Sequence, residues 1–163
     1  MRENLPVRPW YFMILTLSEL GRLRDGNQHV KLVAACGCFD IFHIGHLEYL
    51  QGAKQLGDRL VVGVNSDRSV YWNKGKYPHF CERDRIALVN AIDVVDDVVC
   101  FDSRTFAPVL CQLRPQVFAR GVDAPQKGFP ERETVRSSGL KSALRPAGCA
   151  IIFSRMSWRW IRG

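Results

Sequence analysis

Gly37-Cys38-Phe39-Asp40-Ile41-Phe42-His43-Ile44-Gly45-His46 separates two apolar stretches of different period, and that junction decides the fold. On its N-terminal side, Leu32 to Cys36 is apolar throughout and stops at Gly37, the pattern of a strand buried on both faces. On its C-terminal side, Ile44 to Leu56 sets Leu47, Leu50, Ala53 and Leu56 a turn apart, with Gly57 as a C-terminal cap. Outward from this unit the alternation repeats. Arg59 to Val64 predicts a second strand, Glu82 to Ala91 a helix, and Val94 to Phe101 a third strand. Arg104 to Leu113 predicts a helix closed before Pro115, and Val117 to Ala119 a fourth strand. Glu131 to Leu144 is charged and partly helical, Ala150 to Phe153 predicts the fifth strand, and a short helix is expected near Ser18 to Arg24.

Strands that are apolar throughout and separated by helices predict an α/β fold. The expectation is a Rossmann-like, doubly wound parallel five-stranded sheet with helices on both faces. The expected organisation is an N-terminal extension with a short helix over residues 1–30, a main domain over 31–153 and a basic tail over 154–163. In such open sheets, ligands bind beyond the carboxyl ends of the strands, where strand order reverses. The functional search narrows to the loops 37–45, 65–81, 101–105 and 120–130, and to the residues after Phe153.

Composition bounds the rest. A chain of 163 residues buries enough surface to fold without a disulfide or metal staple. At 47% hydrophobic and 24% charged, it is neither disordered nor fibrous. Its net charge of +7 suits an anionic partner. Of six cysteines only Cys36 and Cys38 are close, and no second pair completes a zinc site. Reduced structural thiols in a cytoplasmic protein, and no metal site, are therefore expected. The apolar run Trp10 to Leu17 lacks a small-residue cleavage pattern and is shorter than the roughly 20 residues of a membrane span, so no membrane association is expected. Aromatic residues interleave with Lys and Arg only in the last six residues, which argues against a nucleic-acid partner.

The 37–46 junction carries the chemistry. His43 and His46 are three apart at a helix start, so both imidazoles lie to one side, over exposed backbone N–H groups. Gly45 between them leaves no side chain in a ligand's way. A helix N-terminus already favours anions. Two imidazoles added there suit a phosphate, above all charge that grows during phosphoryl transfer.

G-C-F-D-x-x-H-x-G-H followed by L-x-Y-L-x-x-A-K-x-L-G-D-R-L-V-V-G-V-N-S-D resembles the cytidylyltransferase-like nucleotidyltransferases. Within them it is most similar to the adenylyltransferase domain that makes ADP-heptose from heptose 1-phosphate, towards the lipopolysaccharide core. Glycerol-3-phosphate cytidylyltransferases are close cousins. The resemblance implies in-line attack by a substrate phosphate oxygen on the α-phosphorus of an NTP, with release of pyrophosphate and Mg²⁺ bridging phosphates. It implies backbone contacts from Cys38 and Phe39 to the nucleotide, joined by Asp40 and Gly45, and charge-stabilising roles for His43 and His46. Lys74 in Lys74-Gly75 resembles a lysine that reaches substrate or triphosphate oxygens. Arg85 aligns with an arginine that binds the substrate phosphate, a role Arg83 at the same helix start could instead hold. Arg120-Gly121-Val122-Asp123 resembles the K-G-x-D segment, with Arg120, Gly121 and Asp123 against the nucleotide.

The chain departs from the family after Phe153. The S/T-rich segment that holds the triphosphate is replaced by Ser154-Arg155-Met156-Ser157-Trp158-Arg159-Trp160, and Arg155 stands as the candidate phosphate contact there. The resulting expectation is an adenylyltransferase acting on an NTP, with ATP favoured, and a sugar or polyol phosphate, with Mg²⁺ as cofactor and a homodimer left open. The alternatives are a CTP-dependent cytidylyltransferase and a catalytically impaired nucleotide-binding protein.

Overall fold

The computed structural model describes residues 14–120, 131–137, 141–144 and 151–154. In chain order its elements are β1 (Ile14–Leu15), α1 (Leu17–Gly26), β2 (Leu32–Gly37), α2 (Ile44–Lys54), β3 (Arg59–Asn65), α3 (Asp67–Lys74) and α4 (Glu82–Asn90). There follow β4 (Asp97–Phe101), α5 (Ala107–Leu113), β5 (Val117–Arg120), α6 (Arg132–Ser137), β6 (Lys141–Leu144) and β7 (Ile151–Ser154).

The sheet order is β1-β4-β3-β2-β5-β7-β6. Five neighbouring strands, β1, β4, β3, β2 and β5, are parallel, so the Rossmann-like doubly wound sheet is present. Its membership differs from expectation in two places. The fifth parallel strand is Ile14–Leu15, inside the segment read as an extension, and it pairs with Val98 and Val99. The stretch expected as the fifth parallel strand instead runs antiparallel to β5, Phe153 opposite Phe118, with β6 antiparallel on its other side. The physical reason lies in the connection. A parallel return needs a crossover of a dozen or more residues, usually helical. Within the described part of that connection, the charged stretch after Glu131 gives six helical residues and then strand β6, which pairs antiparallel with β7.

Side chains alternate between two cores. Val33, Ala35, Leu60, Val62 and Val64 meet Leu50 and Ala53 of α2 and Ile86 and Val89 of α4. Leu32, Ala34 and Val61 meet Leu20 of α1 and Val109, Leu110 and Leu113 of α5. Continuous apolar strands are the consequence of covering both faces. α1 is a full part of this second layer: Thr16 and Glu19 close a capping box at its start, and Leu20 is fully buried. Among the described residues no helix is long and apolar enough to cross a membrane. The thiols of Cys36, Cys38, Cys81, Cys100 and Cys111 are free. Burial, with Glu131 nearby, pushes Cys36 up to about 12, and burial likewise pushes Cys100 up to about 11. Both stay neutral thiols at physiological pH.

Gly63 sits where the ring of Phe106 crosses β3: a Cβ there would fall 2.1 Å from the ring. Phe106 is itself fully buried and packs on Phe101 and Phe118, so it cannot step aside. Gly63→Ala is therefore expected to destabilise the fold by about 1–3 kcal/mol, the usual range for overpacking. A lowered urea midpoint that Phe106→Leu partly restores would confirm the clash; an unchanged midpoint would refute it.

Candidate functional site

The chain leaves β2, winds outward through β3 to β4, then returns to β5 on the other side of β2. Strand order thus reverses between β2 and β5, and the 37–46 junction emerges from β2 at that crevice. The ladder between these strands ends at Ala35 and Ala119. Beyond it, the buried Tyr49 hydroxyl accepts from the Cys36 N–H (3.3 Å) and donates to the Ala119 carbonyl (2.9 Å). Tyr49 holds the two strand ends as they part, and its burial raises the phenol far above its ordinary range.

At the start of α2 the two histidines cap the helix reciprocally. His43 is the N-cap, with extended backbone, and its Nδ1 accepts from the Gly45 N–H at 3.1 Å. His46, at the third helical position, accepts at Nδ1 from the His43 N–H at 3.4 Å. The rings lie 4.0 Å apart between centroids. An accepting Nδ1 carries no proton, so each neutral imidazole bears its N–H on Nε2, away from the helix backbone. Gly45 also serves the ring itself: a Cβ would press within 3.0 Å of His43 Cε1.

Phe39 links this cap to the core. Its ring is buried and packs against Phe42, His46 and Tyr49. Its backbone adopts φ 50, uncommon for a bulky residue and held only by its surroundings. With the ring buried, only the Phe39 backbone is available to a ligand. The Cys38 carbonyl is already taken, by Arg85.

Arg85 departs most from expectation. It has no exposed surface. Its Nε donates to the Phe80 carbonyl (2.9 Å), Nη1 to the Cys38 carbonyl (2.5 Å), and Nη2 to the Asn65 carbonyl (2.7 Å) and Asp67 Oδ1 (2.8 Å). In place of a solvent-facing phosphate contact, the structure shows this guanidinium joining the ends of β2 and β3 to the starts of α3 and α4. Arg83, the alternative on this helix, is exposed. Around this hub, the Asp67 N–H donates to Glu82 (2.8 Å), and Ser66 caps α3 through the Ser69 N–H (2.9 Å).

Asp40 is likewise engaged by protein. Its Oδ1 accepts from the His79 and Phe80 N–H groups at 2.7 and 3.1 Å, and Oδ2 from the His79 ring at 2.9 Å. Burial would raise this carboxyl, but the His79 ring and the two backbone donors outweigh it and hold the group below the usual carboxylate range. Arg120, expected at the nucleotide, meets Glu131 through its Nη1 at 2.7 Å, while the other Glu131 oxygen accepts from the Phe106 N–H at the head of α5. Lys74 is exposed at the end of α3, before a left-handed Gly75 (φ 69). Gly121, Asp123 and Arg155 lie outside the described residues.

Sequence reasoning missed α3, His79, Glu82 and Glu131. Ser66 as cap and Gly75 as terminator were the available signals for α3. The others carry no local signature.

The profile of the cytidylyltransferase-like family matches residues 34–159, from β2 past β7. The chain belongs to this family. The bifunctional protein HldE of Campylobacter fetus is 43% identical over 141 residues, which is 85% of this chain and 30% of that protein. The bifunctional protein HldE of Helicobacter pylori is 45% identical over 128 residues, 78% of this chain and 27% of that protein. The chain thus spans about a third or less of these relatives. The crystal structure of a lipopolysaccharide core biosynthesis protein from Thermoplasma volcanium superposes with TM-score 0.58 at 37% identity, covering 68% of this chain and 87% of that one.

Proposed function

We propose that the chain is a nucleotidyltransferase that moves a nucleotidyl group from an NTP, ATP in preference, to a sugar phosphate such as heptose 1-phosphate, releasing pyrophosphate. One observation carries this reading. Helix capping alone is met best by Ser, Thr, Asp or Asn at the N-cap and by Glu or Gln three residues on. Here histidine occupies both places. What histidine adds is a second nitrogen on each ring, a proton donor held rigidly at the crevice between β2 and β5. The preference for ATP and heptose rests on the resemblance of residues 37–67.

In the proposed step an acceptor phosphate oxygen attacks the α-phosphorus, the bond to the β-phosphate oxygen breaks, and pyrophosphate leaves. The nucleophile is already an anion, so no strong base is required. The Nε2–H groups of His43 and His46 stabilise the charge that builds on the transferring phosphate, and the α2 N-terminus adds its partial positive charge. Among the described residues no group of three or more His, Cys, Asp or Glu could cage a metal. Mg²⁺ would enter as part of the triphosphate substrate, bound to phosphate oxygens, and neutralise their charge.

The test is pyrophosphate release with each of the four NTPs and Mg²⁺, against heptose 1-phosphate, glycerol 3-phosphate and related phosphates. ATP-dependent release with heptose 1-phosphate is the expected result. Release with CTP and glycerol 3-phosphate would make the chain a cytidylyltransferase. Nucleotide binding without any release would favour a catalytically impaired protein.

A further inference from the structure

We propose that His79, oriented by Asp40, binds the phosphate of the acceptor. This inference rests on the nucleotidyltransferase reading and deepens it by naming a substrate-binding residue that the resemblance did not supply.

Arg85, the arginine expected at the acceptor phosphate, shows no surface to solvent and has all three of its nitrogens engaged by protein acceptors. That turns attention to the exposed cations beside the histidine loop. Lys74, Lys76, His79 and Arg83 are exposed along the α3–α4 connection and the start of α4. Hydrogen bonds tie His79 directly to the loop carrying His43 and His46. Asp40, three residues before His43, grips it at three points: the His79 and Phe80 N–H groups and the His79 ring. From beneath, Arg85 fixes the same segment through the Phe80 carbonyl and the loop through the Cys38 carbonyl. The 79–80 segment and the histidine loop are thus stapled together twice.

The chemistry of the pair suits the role. The Asp40 carboxylate is held ionised and has no proton to give, so the ring nitrogen facing it, Nδ1, is the donor. That leaves Nε2 as the nitrogen turned outward, on a side chain still 63% exposed. A phosphate at Nε2 selects the imidazolium, which donates there while Nδ1 donates to Asp40. Carboxylates orient metal-bound histidines through their other ring nitrogen in the same way. A lysine on the same loop would have to surrender several rotatable bonds to make this contact; the ring has surrendered its own already. Asp40 is then a positioning residue, and its expected nucleotide contact gives way to this one.

The experiment compares His79→Ala, His79→Gln, Asp40→Asn and the double variant Asp40→Asn/His79→Ala. His79→Ala is expected to raise the KM for heptose 1-phosphate by about 10-fold or more, the loss of one charge-assisted hydrogen bond, with the KM for ATP changed less than about two-fold. His79→Gln, which keeps a neutral donor, should recover part of the loss. Asp40→Asn should raise the same KM, and the double variant should be no worse than His79→Ala, since Asp40 acts through the ring. An activity-independent readout accompanies these: the His79 ring proton resonances should shift on titration with heptose 1-phosphate, and less far with inorganic phosphate. Equal KM effects on both substrates, or additive losses in the double variant, would overturn the assignment. So would His79 resonances that ignore sugar phosphate while the enzyme turns over. Absence of turnover with every acceptor, with His79 still responding to phosphate, would sink the reaction assigned above and leave this binding site standing.

Discussion

Replacing His43 by asparagine and His46 by glutamine is expected to lower kcat by about 10²–10³ for either substitution while leaving stability almost untouched. The choice of residues separates the two duties of each ring. Asparagine is among the best N-caps and glutamine completes a capping box, so the α2 N-terminus keeps its hydrogen bonds. What disappears is the Nε2–H of each imidazole. A thermal midpoint near that of the parent, an NTP KM within a few-fold and a collapsed kcat together place the rings on the transition state. Full activity in both variants would reduce the pair to helix caps and would remove the observation on which the proposed function stands. Alanine at these positions is less informative, because loss of a cap alone costs about 1 kcal/mol.

Replacing Arg85 by alanine is expected to destabilise the protein by about 3–5 kcal/mol, the usual penalty for removing one partner from a buried charged cluster. The carbonyls of Cys38, Asn65 and Phe80 would lose a donor in the interior, and Asp67 would lose its counter-ion. With total stabilities of about 5–15 kcal/mol, such a loss approaches unfolding. Urea denaturation is the measurement. If the alanine variant does not fold, Arg85→Lys serves: one ammonium with three donors cannot reach the four acceptors around the planar guanidinium, so a partial loss is expected. A variant as stable as the parent, with only the acceptor KM raised, would return Arg85 to the phosphate.

Much of the fold was legible because burial writes itself locally. Leu32 to Cys36, Arg59 to Val64 and Val117 to Ala119 are apolar at nearly every position, and each is a parallel strand in the structure. Ile44 to Leu56 carried helical spacing and its helix runs from Ile44 to Lys54. α3 escaped because Asp67-Arg68-Ser69-Val70-Tyr71-Trp72-Asn73-Lys74 shows little apolar periodicity; only Ser69 and Val70 are buried. It forms because its cap, its terminator and the Arg85–Asp67 ion pair agree.

By itself, then, the sequence determined the alternating α/β order, the two-sided burial of the central strands, and two histidines at the mouth of the first of them. These depend on neighbours within a turn or a strand, where residue type and spacing set which surface is hidden and which backbone groups are capped. Tertiary structure alone decided that β7 runs against β5, that Ile14–Leu15 completes the parallel set, that Arg85 is buried, and that Asp40 faces His79. Each of these joins residues far apart in the chain: Arg85 reaches Cys38 across 47 positions and His79 reaches Asp40 across 39. A charged side chain looks alike in sequence whether it meets a substrate or a distant carbonyl. Only the packed sheet, by bringing the ends of β2 and β3 against the head of α4, selects between them.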